Sequence, residues 1–192
     1  SFKALFSCPT QSIGVKDNSD SKGSRVLSEI PYPLIDEIYH CAFHSKDSYG
    51  ATSYLIKNAN GNILIDSPRY TPHLEKKITQ MGGLTWQLLT HKDDVADTDR
   101  YWATYKSKRC IHRQDTNSKT LHYELILDGD EIIKLNQDIQ VIPVPGHTKE
   151  SVCYLYKEKY LFTGDHLAYS VDLGHLYAFK DACWYDFKIQ IE

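Results

Sequence analysis

The sequence has no apolar run that approaches the roughly 18–20 residues needed to cross a membrane, and its apolar stretches are of strand length. The stretch "SFKALFSCPTQSIGVKDNSDSKGSR" also lacks the extended apolar core of a signal peptide, so a soluble chain is expected. No charge of one sign dominates. With 25 acidic against 22 basic residues there is no electrostatic footprint for nucleic acid or for an anionic membrane, and the expected partner is a small molecule. Cysteine is scattered and odd in number: Cys8, Cys41, Cys110, Cys153 and Cys183, without a CxxC pair. That argues against a disulfide scaffold and for the cytoplasm or another reducing intracellular compartment. Cys110 and Cys153 lie inside strand-like runs, where a small buried thiol is the ordinary role.

What is present fits one domain of 192 residues with a real core. Residues 14–25, rich in Ser, Asp, Lys and Gly, read as a linker or surface loop, and the folded part is expected from Ile30. "IYHCAFHS", "SYLIKN" and "NILIDS" read as strands, with "NANGN" as a hairpin turn between the last two. "TPHLEKKITQMG" has Leu74, Ile78 and Met81 at helical spacing and stops at Gly82-Gly83. "WQLLTH" reads as a buried strand, "DDVADTDRYWATYKSK" as a helix with an acidic first turn, and "RCIHR" as a strand. "EIIKLN", "IQVIPVPG", "SVCYLYK" and "YLFTGDHLA" then form a β meander. Strand–helix–strand alternation followed by a meander predicts a layered, mixed α/β fold.

Three stretches place ligand-type side chains just after strands, where layered folds assemble their sites. They are His91 in "LLTHKDD", His147 in "PVPGHTKES" and Asp165 in "LFTGDHLA". Singly, a strand-end His is more often a satisfied polar group and an Asp after Gly a turn former.

Together, these segments resemble the metallo-β-lactamase superfamily, whose hydrolases include glyoxalase II and RNase Z relatives. "NILIDSP" resembles the early strand ending in Asp, here Asp66. "LLTHKDDVAD" falls at the HxHxDH motif, "PVPGHTKESVCYLY" at the PGHTxGS segment, and "YLFTGDHLA" at the segment carrying the metal-bridging Asp. The resemblance spans residues 40–170. It implies a four-layer αββα sandwich and a metal-dependent hydrolase that acts on an ester, a thioester or another acyl linkage.

The chain departs from the family pattern at HxHxDH, where an ungapped reading gives His91, Asp93, Val95 and Ala96. With a turn longer by two residues, Asp97 and Thr98 take the last two places. Either way the second metal site loses a histidine. The family's late closing His also has no counterpart, since His175 follows Asp165 too soon, so the sandwich is expected to lack its C-terminal elements. The implied ligands are His91, His147 and Asp165, with Asp93 as a fourth. They would hold one ion per chain, zinc or alternatively iron. Iron would imply an oxidoreductase like the persulfide dioxygenases, and a lost metal a non-enzymatic domain.

Asp93 and Asp97 are the candidate catalytic carboxylates, Asp94 reads as a helix cap, and Asp66 as a group orienting its neighbours. His112 is a marginal candidate for the pocket. His40, His44, His73 and His122 carry no motif, and the aromatic groups in "YWATYK" and "DACWYDF" read as core packing. "CPTQSI" resembles the closing segment of a bacterial ferredoxin motif, but a cluster needs about four thiolates and the next cysteine is Cys41. Two readings stay open: a ferredoxin-like module upstream in a longer parent chain, or a loop cysteine at Cys8. The expected division is residues 1–29 as an N-terminal extension and residues 30–192 as the metallo-β-lactamase-like domain.

Overall fold

The computed structural model describes residues 2–14 and 20–192. Its contacts divide into two units. The first holds the described residues up to Leu88 together with Asp93–Arg109, and the second holds Leu89–Lys92 and Cys110–Glu192.

In the first unit, α1 (Phe2–Ser7) and α2 (Asp20–Ser28) precede β1 (Tyr32–Ile35), β2 (Ile38–His40), β3 (Tyr54–Ile56) and β4 (Ile63–Ile65). Then come α3 (Pro72–Gln80), β5 (Trp86–Leu88) and α4 (Thr98–Tyr105). β1 to β4 pair antiparallel in chain order, and β5 adds parallel to β4. A parallel neighbour needs a crossover, and α3 supplies it. The Thr71 side chain caps α3 by accepting from Leu74 N at 3.1 Å, and Pro72 follows, where a missing N–H costs nothing. Leu74 and Ile78 turn inward to join Ile30, Leu55, Leu64 and Tyr101 in the core.

The polar stretch 14–25 behaves differently from its composition. Residues 15–19 lie outside the described residues, but from Asp20 the chain is helical. Val26 and Leu27 give that helix an apolar edge that packs on the core, as Phe6 of α1 also does. A second difference is the start of α4. The acidic cluster is not its first turn, because the helix begins at Thr98. Asp94 lies ahead of the N-cap position, which is Asp97, so it is not the cap; it is buried, and its carbonyl accepts from Ser67 N at 3.1 Å.

The chain passes into the second unit within β6 (Lys108–His112). There β7 (Leu125–Leu127) pairs parallel to β6. β8 (Ile133–Lys134), β9 (Ile139–Pro143), β10 (Val152–Tyr156) and β11 (Tyr160–Phe162) form an antiparallel sheet in the order β11-β10-β9-β8. A hairpin of β12 (Ala168–Ser170) and β13 (His175–Tyr177) follows, and then α5 (Phe187–Ile191). The sequence pattern shows neither β7 nor this hairpin. β7 is a three-residue strand, and the hairpin exposes Tyr169, Val171 and Leu176, so it lacks the alternation of a half-buried strand.

Among the described residues no helix is long and apolar enough to cross a membrane. All five cysteines are free thiols. Cys41, Cys110 and Cys153 are buried, and burial pushes Cys41 and Cys110 up to about 12, so both stay protonated. Cys8 differs: hydrogen bonds from the Thr10 and Ser12 hydroxyls bring it down to about 6.

Candidate metal centre

Three loops of the second unit carry the site. The first follows β5 and ends in Thr90-His91, with His91 buried to 1% exposure. Burial, followed by the neighbouring His147 and Lys92, pushes this imidazole down to about 3, so it is neutral and able to ligate at physiological pH. Its Nδ1 lies 3.0 Å from Thr90 Oγ1. For Nε2 to offer a lone pair, Nδ1 must carry the proton and donate it to that hydroxyl.

The second loop follows β9. Gly146 has φ +143°, and a Cβ there would lie 2.4 Å from Gln190 Cβ, so only glycine lets α5 pack so closely on the turn. His147 is buried, its carbonyl accepts from Trp184 N at 2.8 Å, and its ring stands 6.4 Å from the Trp184 ring. The third loop follows β11. Gly164, at φ +50°, comes so close to Thr90 that a Cβ would lie 2.4 Å from Thr90 Oγ1, which brings the next residue, Asp165, beside His91.

The two imidazole rings are perpendicular at 89°, with centroids 4.7 Å apart. His91 Nε2 lies 3.7 Å and His147 Nε2 3.6 Å from the same oxygen, Asp165 Oδ2. Both rings are buried while Asp165 is about half exposed, so the cluster opens to solvent on the carboxylate side. Two imidazole nitrogens and a carboxylate oxygen are a donor set for a divalent ion. A tetrahedral ion with bonds of about 2.0–2.1 Å spaces its ligands about 3.3 Å apart, close to what is seen here. His147 Nε2 supplies a further sign: it is buried with no hydrogen-bond partner among the described residues, which costs about 1–3 kcal/mol unless something else takes the lone pair. The residues fit a bound metal.

Asp93, half-buried, follows His91 by two positions in the same turn. Asp97 stands at the head of α4 without capping it, and its Oδ2 accepts from Tyr70 N at 2.7 Å. The Thr98 hydroxyl donates to the Val95 carbonyl. Asp66, at the end of β4, is buried at φ +54°. His112 is buried between Gly129 O, 3.2 Å from its Nε2, and Glu150, 3.5 Å from its Nδ1, and it serves that loop. The packing expected of "DACWYDF" does not hold, because Trp184 and Tyr185 are exposed and Trp184 borders His147. His166 carries no motif role. Burial and the neighbouring His147 lower it, and its buried Nδ1 has no hydrogen-bond partner among the described residues.

Solved structures share this architecture. The BLEG-1 B3 metallo-β-lactamase superposes with a TM-score of 0.60 at 20% identity, over 80% of this chain and 81% of that one. The DIM-1 metallo-β-lactamase gives 0.58 at 18%, over 73% and 70%. Native FEZ-1 from Legionella gormanii gives 0.55 at 20%, over 84% and 74%. The fold is that of the metallo-β-lactamases.

Curated sequences point the same way. The hydroxyacylglutathione hydrolases of Haemophilus ducreyi and Klebsiella pneumoniae are 25% and 28% identical over 126 and 130 residues, 65% of this chain in each case. The chain spans about half the length of these relatives, 52% and 49%. No protein-family model matches the chain. The names of these relatives agree with the superfamily resemblance read from the motif order, and the structure shows the mixed α/β class read from the strand–helix alternation.

Proposed function

We propose that this chain is a metal-dependent hydrolase with a single ion, zinc rather than iron, held by His91, His147 and Asp165. One observation carries the reading: two buried imidazole nitrogens converge on one exposed carboxylate oxygen at 3.7 and 3.6 Å. Zinc at such a site lowers the pKa of a bound water toward neutrality and polarises a carbonyl. The chain's own groups hold, orient and shield. Burial keeps His91 neutral, Thr90 Oγ1 accepts a hydrogen bond from its Nδ1, and the half-exposed Asp165 faces solvent.

Asp93 is assigned as fourth ligand, or as the carboxylate that takes the proton from water, on its place in the turn two residues after His91. Asp97 is assigned to the start of α4, because one of its oxygens is already held by Tyr70 N. The single ion is read from the motif: Val95 and Ala96, at the places of the second-site Asp and His, offer no donor side chain, and Asp94 beside them is a carboxylate rather than a histidine. The relatives' names suggest an acylated thiol, a hydroxyacylglutathione, as substrate class.

The test is metal content and hydrolysis together. Purified chain, reconstituted separately with zinc and with ferrous iron without oxygen, is expected to hold at most one ion tightly and to cleave a hydroxyacylglutathione thioester in the zinc form. His147→Ala should abolish tight binding, whereas Asp93→Ala should weaken it less. Two ions per chain at full occupancy would sink the mononuclear assignment. No uptake of either metal would sink the hydrolase, and activity confined to the iron form would turn the reading to oxygen chemistry.

A further inference from the structure

Asp115 closes the short turn after β6, and it is buried to 0% exposure in a loop where most neighbours face solvent. Its Oδ2 accepts two hydrogen bonds, from Lys92 N at 3.1 Å and from the Thr148 hydroxyl at 2.6 Å. Lys92 follows His91 in the chain, and Thr148 follows His147. One oxygen therefore holds the residue next to each imidazole.

The directions of these bonds are fixed. A carboxylate has no proton to give, so Thr148 must donate to Asp115. Thr148 Oγ1 is then left to accept from the Ser151 hydroxyl, 2.7 Å away, and Ser151 Oγ accepts from Thr148 N at 2.9 Å. The loop carrying His147 is closed on itself by Ser151 and hung from Asp115. Val152 N also donates to Thr90 O at 2.8 Å, a backbone tie between the two loops.

We propose that Asp115 is the positioning residue of this centre: by holding Lys92 N–H and the Thr148 hydroxyl on one oxygen, it sets the separation of His91 and His147. The inference rests on reading those two histidines as ligands. Groups behind metal ligands commonly govern affinity by 10- to 100-fold, because a ligand that can swing no longer meets the ion at the right distance.

The experiment is zinc affinity of the apo-protein by competition with a chromophoric chelator, with cobalt substituted in parallel to read ligand geometry from its visible bands. Asp115→Ala and Thr148→Val should each weaken zinc about 10- to 100-fold and shift the cobalt bands. Thr148→Ser, which keeps the hydroxyl, should stay near the parent. If Asp115→Ala does not fold, Thr148→Val decides, since it preserves shape and loses only the hydroxyl that donates to Asp115 and accepts from Ser151. Thr148→Val that melts below the parent but binds zinc with parental affinity and spectrum would make the network merely structural and overturn the proposal. Parent protein that takes up no zinc would overturn the ligand reading and this inference with it. Tight parental binding with an indifferent Thr148→Val would overturn this inference alone.

Discussion

Gly146→Ala is the substitution whose cost can be worked most fully from the structure. The new Cβ would stand 2.4 Å from Gln190 Cβ, 2.5 Å from its Cα and 2.7 Å from its N, where ordinary contacts begin near 3.4 Å. Two of those atoms are backbone, so no rotamer change relieves the clash, and α5 must retreat by roughly 1 Å or undock. Retreat means overpacking, at about 1–3 kcal/mol. Undocking instead gives up the Gln190 amide's bonds to His166 O at 2.6 Å and Asp165 O at 3.4 Å, at about 1 kcal/mol each. An L residue at φ +143° adds strain of order 1–2 kcal/mol. The total is about 2–4 kcal/mol, a fall in Tm of roughly 5–15 °C at 2–4 °C per kcal/mol. Thermal unfolding of the apo-protein by circular dichroism measures it, and removal of residues 187–192 from both backgrounds isolates the contribution of α5. In the shortened pair only the strain should remain. A full-length variant melting within 1 °C of the parent, or an equal loss after the deletion, would refute the reasoning. Zinc affinity should fall in the full-length variant as well, because Gln190 steadies the turn that presents Asp165.

Other substitutions and conditions have definite expectations. Thr71→Ala removes the hydroxyl that accepts from Leu74 N and should cost about 1 kcal/mol, read from the urea midpoint at unchanged slope. His40 is pushed down to about 4 by burial, then by His44, whose Nε2 is 3.2 Å away, and by Lys3, while Tyr32 and Tyr54 flank its ring. Since the unfolded chain protonates this histidine near 6.5, stability should be fully present above that pH and decline toward pH 4. The part of the ring still wet reduces the full shift to about 1–2 kcal/mol. His40→Gln should flatten that slope between urea titrations at pH 7 and pH 5, and an unaltered slope would remove His40 as its source.

Much of the fold was legible because its signals are local. Apolar runs between turn residues located β3, β4, β5, β9 and β10, and Thr71-Pro72 followed by Leu74 and Ile78 located α3. The start of α4 was not legible. "DDVAD" has the composition of a helix's first turn, but the chain uses it for a turn in which Ala96 takes a positive φ and the Asp94 carbonyl meets Ser67 N. The hairpin of β12 and β13 was missed for the opposite reason. Its apolar side chains face outward, and periodicity detects strands only through the face they bury.

The same contrast runs through the centre itself. His91, His147 and Asp165 could be picked out because each follows a strand within a motif of fixed order. Nothing local marks the group that holds them together. "RQD" after a strand reads as a polar turn, and Asp115 acquires its place only when folding brings it to Lys92, 23 residues earlier, and to Thr148, 33 residues later. Gly146 and Gly164 are of the same kind: each reads as a turn former, yet each is required by a residue far away, Gln190 and Thr90. A motif therefore names the atoms that meet the metal, whereas the groups that fix their spacing are chosen by closure of the chain. It follows that substitutions at Asp115, Thr148 or Gly146 should separate metal affinity from ligand identity, because all three donor side chains would remain in the sequence while the distances between them change.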